Sequence, residues 1–289
     1  EREQLFSINK LAARFYNYLL TDTNMGKEAL NYLNKRGFEK EDIKRFKLGY
    51  AADEWQLVLN FLKKKDFSLN LIEKAGLISK GKNNSYYDKF RNRIMFPIFN
   101  NRGEVIAFGG RNLKEKDEFG PKYLNSPETP IFSKKKNLYG LHLAKEEIRK
   151  KNSCIIMEGY TDVIQAHKNG FNNSIASLGT AFTEEQAKLI KRYAESAYIA
   201  YDADTAGNKA TLRGLEILSK TGINVKVIQL EEGSDPDQLL KDEGKKYFVK
   251  FIKEAVNLID FKINMIVKNK KLSDPGVRKK VLRSIVELL

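Results

Sequence analysis

The sequence predicts an α/β protein: a Rossmann-like parallel sheet with flanking helices, preceded by a mixed α/β subdomain and followed by a helical segment. From Cys154 to Leu230, short apolar runs alternate with helical stretches, which is the pattern of a parallel sheet covered on both faces. Residues 86–112 show short apolar runs split by NNRG, which is typical of a hairpin. We expect three domains, with boundaries at 1–150, 151–240 and 241–289.

Helical periodicity with short breaks runs through the first 80 residues. The segments KEALNYLNKRGF (27–38) and EWQLVLNFLKKK (54–65) predict amphipathic helices. In the second segment, the helical spacing favours a core position for Trp55 over a position where its ring could stack on a base. Residues 113–140 contain Pro121, Pro127 and Pro130 and predict a loop-rich connection.

Four short apolar runs define the predicted parallel sheet. These are CIIME, NSIASLG, AYIAYD and NVKVIQL, at 154–158, 173–179, 197–202 and 224–230. The helix between the second and third strands begins with Thr183 as N-cap and Gln186 three residues later, a capping-box arrangement. From about Asp237 the chain reads as mostly helical. Sites in open parallel sheets lie beyond the carboxyl ends of the strands.

Composition narrows the class of protein. The chain has 289 residues, 42% of them hydrophobic, which is enough for a sizeable core. The lone cysteine, Cys154, excludes a disulfide framework and a multi-cysteine zinc site, and His142 and His167 are too far apart in sequence to favour a histidine-rich metal centre. A reducing cytoplasmic compartment fits this composition. No apolar run approaches the roughly 20 residues of a membrane span. The chain starts without methionine and stops within a helical pattern, so we expect a fragment of a longer protein.

Positive charge is concentrated in the first half of the chain. The net charge is +15; residues 1–150 hold 30 Lys+Arg against 19 Asp+Glu, and residues 151–289 hold 22 against 18. Excess basic charge is the electrostatic footprint of a nucleic-acid-binding protein. A lysine-rich solubilising surface would give the same balance, and charge alone does not separate the two interpretations.

Acidic residues stand at or after the ends of three of the four predicted strands. Glu158 ends the first strand, Asp202 and Asp204 end the third, and Asp235 and Asp237 follow the fourth. These carboxylates are expected to gather at one edge of the sheet, where they repel one another unless a cation lies between them. Oxygen ligands suit Mg²⁺ or Mn²⁺, and such clusters are typical of phosphoryl transfer.

Each acidic residue also has a structural interpretation. The stretch DADTAG could simply end a strand in a turn, Glu158 could cap a helix, and Asp235 before a proline could be a turn residue. A calcium loop of the EF-hand type is excluded, because it needs an oxygen ligand at Ala206 and a glutamate at Arg213.

Longer motifs add a resemblance to known families. MEGYTD, ASLGTAFT, YIAYDADTAGNKA and EEGSDPDQLL together resemble the Toprim domain of bacterial primases, type IA and type II topoisomerases and some nucleases. Upstream, YLNKRGF, FKLGYA, DKFRNRIMFPIFNNRGEVIAFGGR and PKYLNSPETPIFSKKKNLYGL resemble the N-terminal part of the catalytic core of the bacterial replicative primases, the DnaG family. The resemblance covers nearly the whole chain.

The resemblance implies roles for individual residues. It implies a metal site formed by Glu158, Asp202, Asp204, Asp235 and Asp237, of which Glu158, Asp202 and Asp204 are catalytic. It also implies contacts to nucleotide or DNA phosphates by a set of six basic residues and one asparagine that we call the phosphate track: Arg36, Arg91, Arg93, Arg111, Lys122, Asn125 and Lys134. Lys89 stands where the family often has arginine, which weakens the case for a bidentate phosphate contact there.

The resemblance further implies an activity and its partners. The expected function is that of a DNA-directed RNA polymerase that makes short RNA primers on single-stranded DNA from NTPs, with one to three Mg²⁺ or Mn²⁺ ions. Zinc is expected only in a domain absent from this chain, and helicase binding only through an absent C-terminal domain. Alarmone nucleotides are expected inhibitors, the fragment is expected to be a monomer, and no membrane is involved. The alternatives are another Toprim phosphoryl transferase, such as a nuclease or topoisomerase, or a non-catalytic binding module for single strands or nucleotides.

Overall fold

The computed structural model describes residues 1–114, 120–179, 182–202, 209–231, 233–268, 270 and 272–288. The chain divides into two compact units, Glu1–Leu143 and Ala144–Leu289, which we describe separately. No described helix combines the length and the apolar character needed to span a membrane.

The N-terminal unit, Glu1–Leu143, combines helices with antiparallel strands. Its α-helices are α1 (Arg2–Asp22), α2 (Lys27–Lys35), α3 (Lys40–Phe46), α4 (Leu57–Lys63) and α5 (Leu69–Lys74), and α6 (Leu141–Lys151) begins at its end. Its strands are β1 (Gly49–Ala51), β2 (Ile78–Lys80), β3 (Tyr86–Asp88), β4 (Arg93–Phe99), β5 (Val105–Asn112) and β6 (Tyr123–Asn125).

Helix α1 supplies much of the core of this unit. Its buried residues include Leu5, Ile8, Ala12 and Tyr16, spaced by three and four so that they form one apolar face. The helix crosses β1 at Gly49, where an added Cβ would lie 2.6 Å from the Cβ of Tyr16. Glycine is therefore needed at this position for the helix and strand to approach so closely.

Strands β1, β4, β5 and β6 form an antiparallel sheet in the order β1-β4-β5-β6. The predicted hairpin is confirmed: β4 pairs with β5 along its length, and Gly103 occupies the turn with a φ of 80°. Every residue of β4 and β5 is buried, so this hairpin lies at the centre of the unit.

The C-terminal unit, Ala144–Leu289, alternates strands and helices through its first half. Its strands are β7 (Ser153–Met157), β8 (Ser174–Ala176), β9 (Ser196–Ala200), β10 (Asn224–Val227) and β11 (Val256–Asn257). Its remaining helices are α7 (Tyr160–Lys168), α8 (Glu184–Lys191), α9 (Lys209–Lys220), α10 (Pro236–Asp242), α11 (Gly244–Lys253), α12 (Leu258–Val267) and α13 (Pro275–Leu288).

The parallel sheet has the strand order β11-β10-β9-β7-β8. Strands β7 to β10 pair in parallel, as predicted, and β11 adds an antiparallel edge that the sequence analysis did not predict. The chain passes from β7 to β8 on one side and returns to β9 on the other side of β7. The carboxyl ends of β7 and β9 therefore flank a topological switch point, where open sheets of this kind bind ligands.

The predicted capping box of α8 is confirmed, and the helix predicted over 54–65 is shorter than expected. The hydroxyl of Thr183 accepts the backbone N–H of Gln186, so the predicted capping box begins α8. The helix predicted over 54–65 spans Leu57–Lys63 instead. Trp55 precedes this helix and is 65% exposed, which overturns the predicted core position.

Asp88 joins β3 to the start of α4. Its buried carboxylate accepts the backbone N–H groups of Val58 (2.8 Å) and Leu59 (3.0 Å). Burial raises the pKa of Asp88 to about 6, although these backbone hydrogen bonds and the nearby charge of Arg91 act in the opposite direction. The ionised side chain is therefore partly stabilised but still costly to keep inside the protein.

This raised pKa predicts a pH dependence of stability. Between pH 3.8, the ordinary pKa of an aspartate, and about pH 6, the folded protein binds more protons at Asp88 than the unfolded chain. The free energy of unfolding should therefore fall as pH rises through this window, by up to about 3 kcal/mol from this group. We expect Asp88→Asn, which cannot ionise, to lose that part of the pH dependence in urea titrations between pH 4.5 and 7. The matched control is Asp66→Asn at an exposed position of the same unit. Equal pH profiles for Asp88→Asn and the wild type would contradict this account.

Candidate functional site

Glu158 and Asp202 lie at the switch point of the parallel sheet. Met157 and Ala200 are register partners at the carboxyl ends of β7 and β9. Glu158 directly follows β7, and Tyr201 directly follows β9. Burial raises the pKa of the Tyr201 hydroxyl, and the negative charge of Glu158 raises it further. Asp202 follows, half-buried.

Asp162 occupies the first turn of α7, directly after the switch point. Its Oδ2 accepts the backbone N–H of Gly159 at 2.9 Å. Burial raises the pKa of Asp162 to about 7, and the negative charge of Asp237 raises it further; the Gly159 hydrogen bond lowers it, while Asp202 and Asp235 make smaller raising contributions. Three aspartates from two other parts of the chain are therefore close enough for their charges to act on Asp162.

Asp235 and Asp237 lie at the start of α10, which packs against α7. The Oδ1 of Asp235 accepts the backbone N–H of Gln238 at 2.7 Å, so Asp235 is the N-cap of the helix. Pro236 follows at the first helical position, and Asp237 is buried, with 4% of its surface exposed. The sequence analysis offered a turn residue as the structural alternative for Asp235; the structure shows a helix N-cap instead, and the neighbouring Asp237 is buried.

The oxygen donors of this cluster suit a hard divalent cation. Asp204 lies outside the described residues. Among the residues that are described, no group of three or more acidic, histidine or cysteine side chains is arranged to hold a metal ion. The oxygen-only chemistry of the aspartates and their mutual repulsion around Asp162 nevertheless fit Mg²⁺ or Mn²⁺, whose charge would offset that repulsion.

Most of the phosphate track lies at one end of the antiparallel sheet. Arg93 opens β4 and pairs with Asn112 at the end of β5, and Arg111 pairs with Tyr123 at the start of β6. Lys122 precedes β6, and its carbonyl accepts the N–H of Asn112 at 2.9 Å. The strand register therefore brings together residues that are up to about thirty positions apart in sequence. Asn125 ends β6 opposite Gly109.

Tyr32 links Arg36 to Arg111. The Nε of Arg36 donates to the Tyr32 hydroxyl at 2.9 Å, and the guanidinium carbon of Arg111 lies 4.4 Å from the centre of the same ring. Arg111 is buried, with 7% of its surface exposed, and its Nε has no hydrogen-bond acceptor among the described residues. A buried cation with an unused donor is favourable for an anionic ligand, because the ligand would satisfy both needs.

The other predicted phosphate contacts differ in exposure. Arg93 is 1% exposed, and its Nη1 donates to the carbonyls of Gly110 (3.2 Å) and Pro121 (2.9 Å). Burial lowers the pKa of the Arg93 guanidinium, and the charge of Arg91 lowers it further. Lys134 is half-buried, and its charge contributes, after burial, to the lowered pKa of Lys89. The buried Arg93 thus connects strand β5 to the segment that precedes β6.

The sequence analysis missed two residues of these clusters. Asp162 ends the quoted motif MEGYTD, and its position three residues after Gly159 was a capping signal. Tyr32 precedes Arg36 by four residues, the spacing at which helical side chains meet. Its contact with Arg111 depends on tertiary structure and has no local signal.

Two family models match the chain, one mostly within each of the two compact units. Residues 15–145 match the model described as "DNA primase catalytic core, N-terminal domain", and residues 155–240 match the model described as "Toprim-like". The parallel sheet with its acidic switch point thus belongs to a Toprim-type protein. The upstream match distinguishes a primase from the other Toprim enzymes, so the nuclease and topoisomerase alternatives are not favoured.

Individual relatives define the family more narrowly. The chain is 46% identical to the DNA primase of Clostridium acetobutylicum over 289 residues, 99% of this chain and 47% of the relative. The RNA polymerase domain of Mycobacterium tuberculosis primase DnaG matches with a TM-score of 0.90 and 30% identity, covering 100% of this chain and 93% of that one. A DnaG primase catalytic domain solved with bound ssDNA matches with a TM-score of 0.84 and 34% identity, covering 100% and 94%. The chain belongs to the family of bacterial DnaG-type primase catalytic cores, and it spans about half the length of the curated relatives it matches.

The repulsion around Asp162 predicts that neutralising it stabilises the metal-free protein. Asp162→Asn keeps an oxygen that can accept the Gly159 N–H but removes a buried negative charge. At pH 8 in the presence of a chelator, we expect its free energy of unfolding in urea to rise by about 1 to 3 kcal/mol. Glu185→Gln, on an exposed turn of α8, is the control and should change stability by less than about 0.5 kcal/mol. A loss of stability in Asp162→Asn would show that the carboxylate is favourable where it lies.

Proposed function

We propose that this chain is the RNA-polymerizing core of a primase, which joins ribonucleotides into a short primer on a single-stranded DNA template. The observation that carries the proposal is the convergence of Asp162, Asp202, Asp235 and Asp237 next to a Toprim switch point. The match of the upstream unit to a primase core supports the same activity. In this proposal the functional domains keep the predicted boundaries 1–150, 151–240 and 241–289.

The acidic residues would hold the metal ions. We assign this role to Glu158, Asp202, Asp204, Asp235 and Asp237, with Asp162 as a positioning residue at the start of α7. Bound Mg²⁺ or Mn²⁺ would supply charge neutralisation on the phosphates and a lower pKa for the attacking 3′-hydroxyl. The hydrogen bonds of Asp162 to Gly159 and of Asp235 to Gln238 fix α7 and α10, and so orient the neighbouring Glu158 and Asp237.

The phosphate track would hold the template and the incoming nucleotide. The guanidinium of Arg111 lies over the ring of Tyr32, Arg36 donates to the hydroxyl of the same residue, and exposed Lys122 adds positive charge at the same sheet end. In the proposal Arg91, Lys134 and Asn125 contribute further contacts, and Arg93 acts chiefly from within by bracing Gly110 and Pro121. Arginine suits phosphate because its planar fork donates two parallel hydrogen bonds.

The wider biology of the longer relatives remains a set of predictions for this chain. These are a bacterial cytoplasmic location at the replisome, helicase binding and zinc binding through segments outside this chain, inhibition by alarmone nucleotides at the phosphate track, and a monomeric state.

Asp202→Asn tests the metal-site assignment. The substitution preserves size and removes one charge, so we expect the fold to survive and nucleotide incorporation to fall by roughly 100-fold or more. The measurement is incorporation of labelled NTPs on single-stranded DNA in Mg²⁺ and in Mn²⁺, with circular dichroism as the check on folding. Asp242→Asn, an exposed position on α10, is the matched control and should keep wild-type activity. An Asp202→Asn protein that works at the wild-type rate would overturn the assignment.

Lys122→Ala tests the phosphate track against a merely solubilising surface. If Lys122 neutralises one phosphate, its removal should flatten the plot of log affinity against log salt by about 0.7 on single strands. Fluorescence anisotropy of a labelled oligonucleotide at several salt concentrations measures this slope. Lys63→Ala, exposed on α4 of the same unit, is the control and should leave the slope unchanged. Equal effects of the two substitutions would leave only diffuse charge.

A further inference from the structure

A cavity of about 650 Å³ opens on the N-terminal unit between α1 and α3. The apolar part of its wall is formed by Ala13, Leu30, Ile43 and Val105, from α1, α2, α3 and β5. Asn17 on α1 donates through Nδ2 to the carbonyl of Leu48, two residues after α3, at 2.6 Å. This hydrogen bond connects α1 to the end of α3, so the cavity has a fixed wall on each side. Its volume lies within the roughly 300 to 1,000 Å³ of small-molecule sites.

Five cationic side chains surround the apolar wall. Two lie on α1, two lie on α3, and one directly follows α3: Lys10 and Arg14, Lys40 and Lys44, and Lys47. The members of each helical pair are four positions apart, so each helix presents its pair on one face. All five side chains are exposed, and none forms a salt bridge with another residue that the structure describes. Their charge is therefore available to an anion.

Acidic residues do not cancel this positive charge. Asp22 is the one carboxylate among the described residues that line the cavity, and it accepts a hydrogen bond from the Thr21 hydroxyl. Asp42 on α3 is buried, and its Oδ2 accepts the backbone N–H of Glu39 at 2.9 Å, where it stabilises the start of the helix. The described lining residues therefore carry five positive charges against one negative charge.

The cavity lies at the end of the antiparallel sheet opposite Arg111. Val105 opens β5, and Arg111 lies six positions further along the same strand, about 20 Å away at roughly 3.3 Å per residue. Near the cavity, the ammonium of Lys47 lies 5.2 Å from the centre of the ring of Phe99, the register partner of Val105. This contact holds a positive charge beside the apolar wall. A molecule small enough to fill the cavity would not reach Arg111.

The chemistry of the cavity fits a small phosphate ester with an apolar or aromatic body. A phosphate monoester carries about 1.5 to 2 negative charges near pH 7 and three acceptor oxygens, which ammonium and guanidinium groups bind through charge-assisted hydrogen bonds. The apolar wall lets the body of the same molecule leave water. We propose that the cavity binds such a molecule, with its body against Ala13 and Ile43 and its phosphate among the cations of α1 and α3. This inference does not depend on the proposed function.

Isothermal titration calorimetry with 1-naphthyl phosphate tests the proposal, because this probe combines an aromatic body with a phosphate monoester. We expect saturable binding at a single site per chain. Inorganic phosphate lacks the body and 1-naphthol lacks the charge, so each should bind at least about 10-fold more weakly. Inorganic phosphate that binds as tightly as the naphthyl ester would overturn the proposal, and so would an ester that does not bind.

Substitutions on the two helical walls locate the site. Arg14→Ala and Lys44→Ala each remove one cation at an exposed helical position, where alanine favours the helix. We expect each to weaken 1-naphthyl phosphate binding by about 5-fold to 50-fold, with an unchanged circular dichroism spectrum. Lys63→Ala, exposed on α4 of the same unit, is the control and should stay within about 2-fold of the wild type. A loss in Lys63→Ala as large as in Lys44→Ala would indicate diffuse attraction and overturn the site.

Competition separates this cavity from a nucleic-acid-binding surface. Oligothymidylate of about 15 nucleotides, at a concentration that saturates the protein by anisotropy, should leave the affinity for 1-naphthyl phosphate within about 3-fold. Displacement of the probe by the oligonucleotide would place the probe on the nucleic-acid-binding surface and overturn the proposal. Primer synthesis is not measured in any of these experiments, so the cavity and the proposed function can fail independently.

Discussion

Repulsion among carboxylates at the carboxyl edge of the parallel sheet is the constraint on which the C-terminal unit depends. Burial raises the pKa of Asp162 on α7, and the negative charges of Asp237, Asp202 and Asp235, from α10 and the end of β9, raise it further. Backbone hydrogen bonds at the two helix starts hold this arrangement in place despite the unfavourable charge. Repulsion between carboxylates destabilises the folded protein unless a bound cation offsets it. The cluster therefore indicates a functional site rather than a stabilising interaction.

The N-terminal unit arranges positive charge by a different means. Arg36 and Arg111 lie against Tyr32, Arg91 lies against Trp55 and Tyr87, and Arg93 donates to main-chain carbonyls. Aromatic faces and carbonyl oxygens position guanidinium groups and leave their positive charge in place. The unit thereby keeps a high positive charge in a defined geometry, as a protein that recognises a polyanion requires.

Division of labour between the two units follows from these electrostatics. In the proposed primase, the Toprim unit gathers carboxylates at one edge of its sheet for metal-assisted chemistry, and the upstream unit carries most of the net positive charge for template and nucleotide. A carboxylate cluster beside phosphates would by itself repel the substrate, so each kind of charge needs the other. The upstream unit matches a primase-core model and the second unit a Toprim-like model.

Local patterns in the sequence were sufficient to predict the parallel sheet, the 86–112 hairpin, the Thr183 capping box and the acidic residues that follow three of the strands. All of these features arise from periodicity and turn chemistry over a few residues. Tertiary structure decided what depends on distant contacts. Trp55 is exposed rather than in the core because a hydrogen bond to β3 fixes the segment before α4. Arg93 is buried because the pairing of β4 with β5 brings it against the carbonyls of Gly110 and Pro121. The contact of Arg111 with Tyr32, and the effect of the Asp237 charge on Asp162, both depend on the packing of strands and helices that are far apart in sequence.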